Sequence, residues 1–241
     1  MGHAVQRRCI RLRHVALCYS EHHLRRLLAE GYHDAALRIG GIYTGPSIAA
    51  TLESPEPLVL FVGRHIPEKR APAVVEALAI VRRERPEVRA TIVGDGPDRP
   101  NVAAAITRHG LREAVTLPGF VSDAELNRLL RRAACLVLPS WREGFGLVLL
   151  DAIARGTPVV TVAAPENAAS ELVVAGVNGT IAASASAEDL GSAILSVMSA
   201  GMPLRESTAR WWVEQAPRLS AAAGYAQILT AYGATTVETA G

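Results

Sequence analysis

The feature that most constrains the fold is a regular alternation, from Pro57 onward, of short apolar runs with longer amphipathic segments. Short apolar runs bounded by Gly or Pro favour buried strands, and the segments between them repeat their apolar residues with the period of a helix. Strands that alternate with helices are typical of βαβ units stacked around a parallel sheet. The sequence therefore predicts an α/β fold, a Rossmann-like doubly wound parallel sheet.

The predicted elements can be placed by residue number. The strands cover 58–62, 90–93, 114–117, 136–138, 158–162 and 180–182, and the helices cover 72–83, 100–109, 123–133, 147–155, 168–175 and 187–199. Ser122 stands directly before an acidic first turn, so its hydroxyl is a suitable N-cap for the third of these helices.

The first 56 residues do not follow this pattern. Residues 14–19 predict a strand, residues 21–30 a helix closed by Gly31, and residues 40–56 a linker rich in Gly, Ser, Thr and Pro. A single βα unit cannot bury both of its faces. Residues 1–56 are therefore interpreted as the remnant of a second α/β domain plus a linker, with the body of that domain preceding residue 1.

The C-terminal region, residues 204–241, predicts one or two terminal helices interrupted at Pro217. Trp211 and Trp212 are neighbours and cannot share one helix face. We expect these helices to expose an apolar surface toward another domain. Residues 57–203, between the N-terminal remnant and these helices, are predicted to form the ligand-binding domain.

Charge and cysteine content exclude several classes of protein. Lys and Arg number 25 against 23 Asp and Glu, a net charge of +2, which does not indicate a nucleic-acid partner. Cys9, Cys18 and Cys135 lack the spacing of a disulfide framework or a zinc site, which favours a reducing compartment. Neither a signal peptide nor an apolar run of about 18 residues is present, so the sequence predicts a cytoplasmic location.

Arginines crowd the first 40 residues, which leaves a peripheral position at the inner membrane face open, with a solvated helix face as the alternative. They are Arg7, Arg8, Arg11, Arg13, Arg25, Arg26 and Arg38.

Polar, glycine-bearing loops follow three of the predicted strands, at residues 63–69, 94–97 and 140–146. In an open parallel sheet, ligands bind where the carboxyl ends of the strands meet. The first loop carries Arg64 and Lys69, a forked donor and a mobile point charge that together suit a diphosphate. On spacing alone, solvated or paired side chains are the alternative.

The third loop combines acids with glycines. Gly144 and Gly146 allow a ligand to approach the backbone at the start of a helix. Glu143 precedes that helix and Asp151 lies eight residues on, about two helical turns, which would place both carboxylates near one edge. Carboxylates accept hydrogen bonds from sugar hydroxyls, but two acids at this spacing do not define a site by themselves.

The combination of motifs, covering about residues 57–200, resembles the donor-binding domain of family 4 glycosyltransferases, which are retaining enzymes of the GT-B fold. The motifs stand in the order Phe61-Val62-Gly63-Arg64 to Glu68-Lys69, Val93-Gly94-Asp95-Gly96-Pro97, Leu117-Pro118-Gly119-Phe120-Val121, Val137-Leu138-Pro139-Ser140 to Glu143-Gly144-Phe145-Gly146, and Gly156-Thr157-Pro158-Val159-Val160. The resemblance also implies that residues 1–56 are the close of an N-terminal acceptor domain and the crossing into the second domain.

The resemblance implies roles for individual residues. Arg64 and Lys69 would hold the donor diphosphate and stabilise the departing charge, and Glu143 would face the donor sugar. Asp151 stands where the family has a glutamate that contacts ribose. The remaining contacts to the donor would come from Gly63, from the backbone of Gly144, Phe145 and Gly146 at the phosphates, and from Phe120 and Val121 beside the base.

Two of these implications leave alternatives open. Phe120 suits a core aromatic as well as a base contact. Residues 165–171 stand where the family often has a glycine-rich loop near the donor, and Glu166, Asn167 and Glu171 are candidates there.

The activity implied by the resemblance is transfer of a hexose from a UDP or GDP sugar to an acceptor hydroxyl with retention, without a metal or other cofactor. The acceptor, whether glycan, lipid or small molecule, is not identified. A split-subunit or non-catalytic nucleotide-sugar-binding module and a sugar-nucleotide epimerase are the alternatives. An oxidoreductase is disfavoured because the glycine loop at residues 94–99 lacks the third glycine of a dinucleotide-binding fingerprint.

Overall fold

The computed structural model describes residues 15–32, 36–45 and 52–233. Contacts within the chain define two compact units, residues 46–214 and residues 1–45 together with 215–241.

In chain order the strands are β1 (Ala16–Cys18), β2 (Ala36–Arg38), β3 (Leu58–Val62), β4 (Arg89–Val93), β5 (Val115–Gly119), β6 (Cys135–Leu138), β7 (Arg142–Glu143), β8 (Val159–Val162), β9 (Glu166–Asn167) and β10 (Gly179–Ala182). The α-helices are α1 (Glu21–Ala29), α2 (Ala71–Glu84), α3 (Arg99–Arg108), α4 (Asp123–Arg132), α5 (Leu147–Ile153), α6 (Ala187–Leu219) and α7 (Ala221–Ala231), and 3-10 helices cover Pro67–Lys69 and Ala168–Leu172.

The larger unit is built on a six-stranded parallel sheet with the strand order β10-β8-β6-β3-β4-β5. The first of these strands in the chain, β3, lies in the middle, with later strands added first on one side of it and then on the other. The order therefore reverses between β3 and β6, and at such a switch point the flanking loops diverge and open a crevice at the carboxyl edge. The predicted α/β fold with a doubly wound parallel sheet is confirmed.

The core of this unit lies on both faces of the sheet. Val59, Leu60 and Phe61 of β3 are fully buried in succession, as expected for a strand covered by helices on both sides. On α2, Val74, Leu78 and Val81 recur at helical spacing and are fully buried too. Each such side chain stabilises the fold by about 1.5–3 kcal/mol.

The predicted strands and helices of this unit agree closely with the observed ones, and Ser122 does cap α4 by accepting from the Glu125 amide at 3.2 Å. The helix predicted over residues 168–175 is wrong, because only a 3-10 helix at Ala168–Leu172 forms. Asn178 explains the early end: its side chain accepts from the Val174 amide and donates to the Leu172 carbonyl, which satisfies those groups in a turn.

The C-terminal helices differ from the prediction. Helix α6 runs through Pro217, where an interruption was predicted. Its one non-helical residue is Gly201, with φ 51° and ψ −136°, which lies between the predicted helix 187–199 and the terminal helices from residue 204. Ser220 then caps α7 by accepting from the Ala223 amide at 3.2 Å. Trp211 and Trp212 are both buried, 9% and 2% exposed, so the apolar surface expected from these two side chains is absent.

The smaller unit contains a parallel strand pair that the sequence did not predict. Strand β1 pairs in register with β2, so the segment is more than a single βα unit. Ser20 caps α1 by accepting from the His23 amide, and Gly31 ends it with a φ of 91°, as predicted. Cys9, His14 and the four arginines before residue 15 lie outside the described residues.

Among the residues that the structure describes, no helix combines the length and the apolar content needed to cross a membrane.

Candidate functional site

The loop after β3 begins at the switch point of the sheet. Arg64 is exposed there, whereas its neighbour His65 is fully buried. The 3-10 helix Pro67–Lys69 follows and ends at Arg70, a non-glycine residue in the left-handed region at φ 51°, ψ 38°. Such strain is maintained only where surrounding structure fixes it, and here it positions Lys69 at the end of a tight turn before α2.

The loop after β4 is fixed against the loop after β3 by backbone hydrogen bonds. The Gly63 amide donates to the Val93 carbonyl at 3.1 Å, and the His65 amide donates to the Asp95 carbonyl at 2.8 Å. The His65 carbonyl in turn accepts from the Asp98 amide at 2.8 Å. These bonds hold the backbone that presents Arg64 at the carboxyl edge.

The side chain of His65 is part of the packing beneath this loop. Its ring lies 6.0 Å from the ring of Phe61, centroid to centroid. Burial, and then the nearby charge of Arg99, lower the pKa of His65 below its ordinary value of 6.5. A neutral, buried imidazole is therefore expected at neutral pH, and Arg64 remains the cation of this turn.

The loop after β6 meets the loop after β3 across the switch point. The Trp141 amide donates to the Glu68 carbonyl at 3.1 Å. The Lys69 ammonium donates to a carboxylate oxygen of Glu143, and both side chains are largely buried, 18% and 14% exposed. The structure thus brings together two residues that are 74 positions apart in the chain and that the sequence assigned to one site.

Ser140 is a residue of this site that the sequence analysis did not single out. Its side chain is fully buried, and its hydroxyl lies 3.5 Å from the Glu143 oxygen that Lys69 also contacts. The signal available in the sequence was only its place directly after a buried strand, which many serines share.

A second short strand pair places residues 166 and 167 beside Glu143. Strands β7 and β9 are parallel, with Arg142 opposite Glu166 and Glu143 opposite Asn167. An ion pair of 3.4 Å joins Arg142 to Glu166. Asn167 is buried and donates to the Thr161 hydroxyl at 3.0 Å, which ties this strand to the end of β8.

The two glycines of the third loop have different surroundings. Gly146 adopts a φ of 89°, and a Cβ there would lie 2.6 Å from the Cβ of Ala169. Gly144 has no positive φ, and a Cβ there would meet no described atom within 4 Å. Only Gly146 is therefore required by the fold. Phe145 between them is buried at 9% exposure.

The helical spacing expected between Glu143 and Asp151 is wrong. Glu143 belongs to strand β7, and helix α5 begins only at Leu147, so the two acids are not on one continuous helix. Asp151 is one third exposed and forms an ion pair of 3.7 Å with Arg155, four residues later. Its distance from Glu143 is therefore set by the loop between them, which no periodicity describes.

The loop after β5 carries an uncovered aromatic side chain. Phe120 is 78% exposed, so its alternative interpretation as a core residue is wrong. Arg99, at the start of α3, lies behind this loop and donates to the Leu117 carbonyl at 3.0 Å. Arg99 was not among the predicted site residues because an arginine in a first helical turn carries no distinctive signal.

Fold and candidate site together define an open, doubly wound α/β domain whose β3/β6 switch point carries exposed Arg64 and the Lys69–Glu143 pair. The family model described as glycosyl transferases group 1 matches residues 48–217, and the chain belongs to this family.

Similar proteins carry glycosyltransferase names. D-inositol 3-phosphate glycosyltransferase of Segniliparus rotundus is 34% identical over 187 residues, which are 76% of this chain and 41% of that protein. Alpha-D-kanosaminyltransferase of Streptomyces kanamyceticus is 34% identical over 125 residues, 52% of this chain and 32% of that one. The chain thus spans well under half the length of these relatives.

Solved structures show the same fold. HepE of Anabaena, crystallised with UDP and glucose, superposes with a TM-score of 0.78 at 21% identity, covering 98% of this chain and 68% of that one.

Proposed function

We propose that this chain binds the nucleoside diphosphate sugar donor of a retaining glycosyltransferase of family 4 type, at the crevice between β3 and β6. The observation that carries the proposal is the contact between Lys69 and Glu143, which come from two loops far apart in the chain, with exposed Arg64 in the first of these loops. Two cations and one acid suit a ligand with a diphosphate and a hydroxyl-rich sugar.

Lys69 and Glu143 exchange partners when the donor binds. In the structure they neutralise each other at a largely buried position. A diphosphate carries more charge than one carboxylate, so it competes for the ammonium, with Arg64 as second cation. Glu143 is then released to accept hydrogen bonds from the sugar hydroxyls, while Ser140 continues to hold it in place.

The other contacts follow the crevice outward. Glu166 and Asn167 lie beside Glu143 and extend the sugar side, and Gly144 leaves room for the donor to approach the backbone. Asp151 is assigned to the ribose. The exposed ring of Phe120, with Val121 after it, provides a face on which the base can stack. Gly63, Phe145 and Gly146 contribute through their backbone.

The chemistry we propose is transfer on one face of the sugar. The bond between the anomeric carbon and the phosphate oxygen breaks, and the acceptor oxygen bonds to the same face of that carbon. The acceptor proton passes to the leaving phosphate, which balances the step and retains the anomeric configuration. Arg64 and Lys69 stabilise the negative charge on the leaving group as it develops, the electrostatic role that a metal has in other transferases.

UDP is the nucleotide we propose first, and GDP second. The UDP and glucose complex of HepE, which has the same fold, supports this order. The sugar is assigned only as a hexose, because sugar-facing residues such as Glu143 and Asn167 suit hydroxyls in general.

Acceptor binding is proposed to need a further surface. The matched relatives are more than twice as long as the segment that this chain matches in them. We propose that an N-terminal domain or a separate subunit supplies the glycan, lipid or small-molecule acceptor. A cytoplasmic position, free or at the inner membrane face, stays a prediction of the sequence.

Calorimetric titration with UDP, GDP and ADP tests donor binding. We expect saturable binding of one of them, weakened about 10- to 100-fold by Arg64→Ala, since a hydrogen bond between charged groups contributes about 1.5–3 kcal/mol. Arg112→Ala, at an exposed position outside the crevice, is the matched control. A folded parent chain that binds none of the three nucleotides contradicts the proposal.

Transfer is tested separately from binding. Incubation of the chain, joined with the proposed acceptor-binding domain or subunit, with a UDP-hexose and a panel of acceptors should release UDP only when an acceptor is present. An altered sugar nucleotide formed without any acceptor would instead support an epimerase.

A further inference from the structure

Arg99 joins the ends of the two neighbouring strands β4 and β5. Its guanidinium donates to the Gly94 carbonyl at 3.4 Å and to the Leu117 carbonyl at 3.0 Å. It also lies 4.0 Å from a carboxylate oxygen of Asp95. The side chain is 34% exposed, so the guanidinium sits at the surface of the carboxyl edge and is committed to backbone on both sides.

The need for such a residue comes from an irregularity in the sheet. The register between β4 and β5 shifts between Thr91 and Val93. Pro118 has no amide hydrogen to contribute to the ladder, and β5 is the edge strand of the sheet. Arg99 donates to the carbonyl that precedes this proline, so a side chain satisfies a backbone acceptor where the ladder is irregular.

The segment that Arg99 holds is the one that ends in the exposed aromatic ring. A Cβ on Gly119 would lie 3.7 Å from the Arg99 guanidinium, and Phe120 follows directly. Strand β5 lies two strands from β3, about 10 Å at 4.8 Å per strand. A nucleotide whose diphosphate lies at Arg64 can therefore reach Phe120 with its base.

We propose that Arg99 is the positioning residue of the base side of the donor site: it fixes residues 117–121 against the loop after β4 so that Phe120 can stack on the nucleotide base. The inference rests on the proposed nucleotide binding. Arg99 acts on the base through the loop, because its guanidinium is held between the carbonyls of Gly94 and Leu117. Arg64, by contrast, acts on the phosphates directly.

The two roles predict different ligand dependence. We expect Arg99→Ala to weaken UDP binding about 10-fold in calorimetry while the affinity for inorganic pyrophosphate, which has no base, stays within twofold of the parent value. Arg64→Ala should weaken both ligands. Arg108 lies on the same helix, in an exposed ion pair with Glu76, and Arg108→Ala should leave the affinity for both UDP and pyrophosphate unchanged. Arg99→Lys replaces the forked guanidinium with a point charge, so its UDP affinity should lie between that of the parent and that of Arg99→Ala.

Hydrogen exchange in the ligand-free chain tests the positioning step by itself. Amides of residues 117–121 should exchange faster in Arg99→Ala than in the parent, with residues 135–143 unchanged. Faster exchange throughout the chain would mean a general loss of stability and would overturn the inference, as would an equal loss of UDP and pyrophosphate affinity or no loss of either. A parent chain that binds pyrophosphate but no nucleotide contradicts the proposed function, while the exchange result still decides whether Arg99 holds the loop.

Discussion

The loops after β4 and after β6 both carry glycines in a motif that resembles the same family, yet the glycines have different reasons to be there. Gly94 has a φ of 119°, and a Cβ on it would overlap the Gly63 carbonyl oxygen. Gly144 has an ordinary φ, and a Cβ on it would point into open space within the described structure. The first glycine is required by packing between two loops, and the second is not required by the fold.

Under the proposed function, this difference separates a structural half of the site from a ligand-facing half. The loops after β3 and β4 are fixed to each other by backbone bonds and by buried His65, so they can present Arg64 without rearrangement. The loop after β6 meets them through Lys69 and Glu143, a pair whose partners a bound ligand can replace. A glycine in such a motif therefore indicates a functional role only once it is known that the fold itself does not require a glycine there.

The largest effect is expected from Gly94→Ala. A side chain at this φ, in contact with the Gly63 carbonyl, must push the two loops apart, which we expect to lower the free energy of unfolding by about 3 kcal/mol or more. Urea unfolding measures the change. Gly110→Ala is the control, since it has a φ of 66° but open space around its Cβ, and should cost only about 1 kcal/mol. Equal losses would show that backbone conformation alone matters and that loop packing does not.

The second effect, about 2 kcal/mol, is expected from Lys69→Met, which leaves the largely buried Glu143 without its cation. Adding Glu143→Gln removes the isolated charge. The single variant should also lose UDP affinity, because Lys69 is no longer available to the phosphates. The double variant should regain most of the stability in urea unfolding, but it should regain none of the UDP affinity, because Lys69 is still absent. If the double variant binds UDP as the parent does, the Lys69 side of the proposal is wrong.

Much of the fold could be predicted because its signals are local. Strand Leu58–Val62 is a buried apolar run, and helix Asp123–Arg132 begins at a capping serine. Strand β2 was missed, since its three residues carry no readable pattern. The interruption at Gly201 falls in the gap that the sequence left between the predicted helix over residues 187–199 and the terminal helices from residue 204.

The site could be predicted in part, through motif order. Arg64, Lys69 and Glu143 each follow a predicted strand, but only the resemblance carried by the ordered motifs assigned them to one site. Ser140 and Arg99 were missed because their places depend on side-chain contacts, in one case to residue 143 within the same loop and in the other to residue 117 at the end of another strand. No periodicity encodes such contacts.

A third, smaller effect is expected from the pH dependence that His65 contributes. Its pKa in the folded chain is below 6.5, so an unfolded chain binds the proton first as the pH falls. The contribution to stability is therefore complete above about pH 6.5 and is lost progressively below it. His65→Leu should show a smaller loss of unfolding free energy than the parent between pH 7.5 and 5.5. His109→Gln, at an exposed position, controls for removal of a histidine as such, and identical slopes for parent and His65→Leu would contradict this assignment.

The smallest change in stability is expected from Gly144→Ala, less than about 0.5 kcal/mol, because the added methyl group meets nothing in the free chain. The same methyl group would occupy the space through which the donor approaches the backbone, so affinity for the UDP-sugar should fall several-fold. Gly146→Ala is the matched counterpart: its φ of 89° and the nearby Ala169 should cost about 2 kcal/mol before any ligand is added. If Gly144→Ala destabilises as Gly146→Ala does, both glycines of this loop serve the fold, and the contrast with Gly94 disappears. If it changes neither stability nor affinity, the donor does not approach the backbone at Gly144 and must be held by the side chains of the crevice alone.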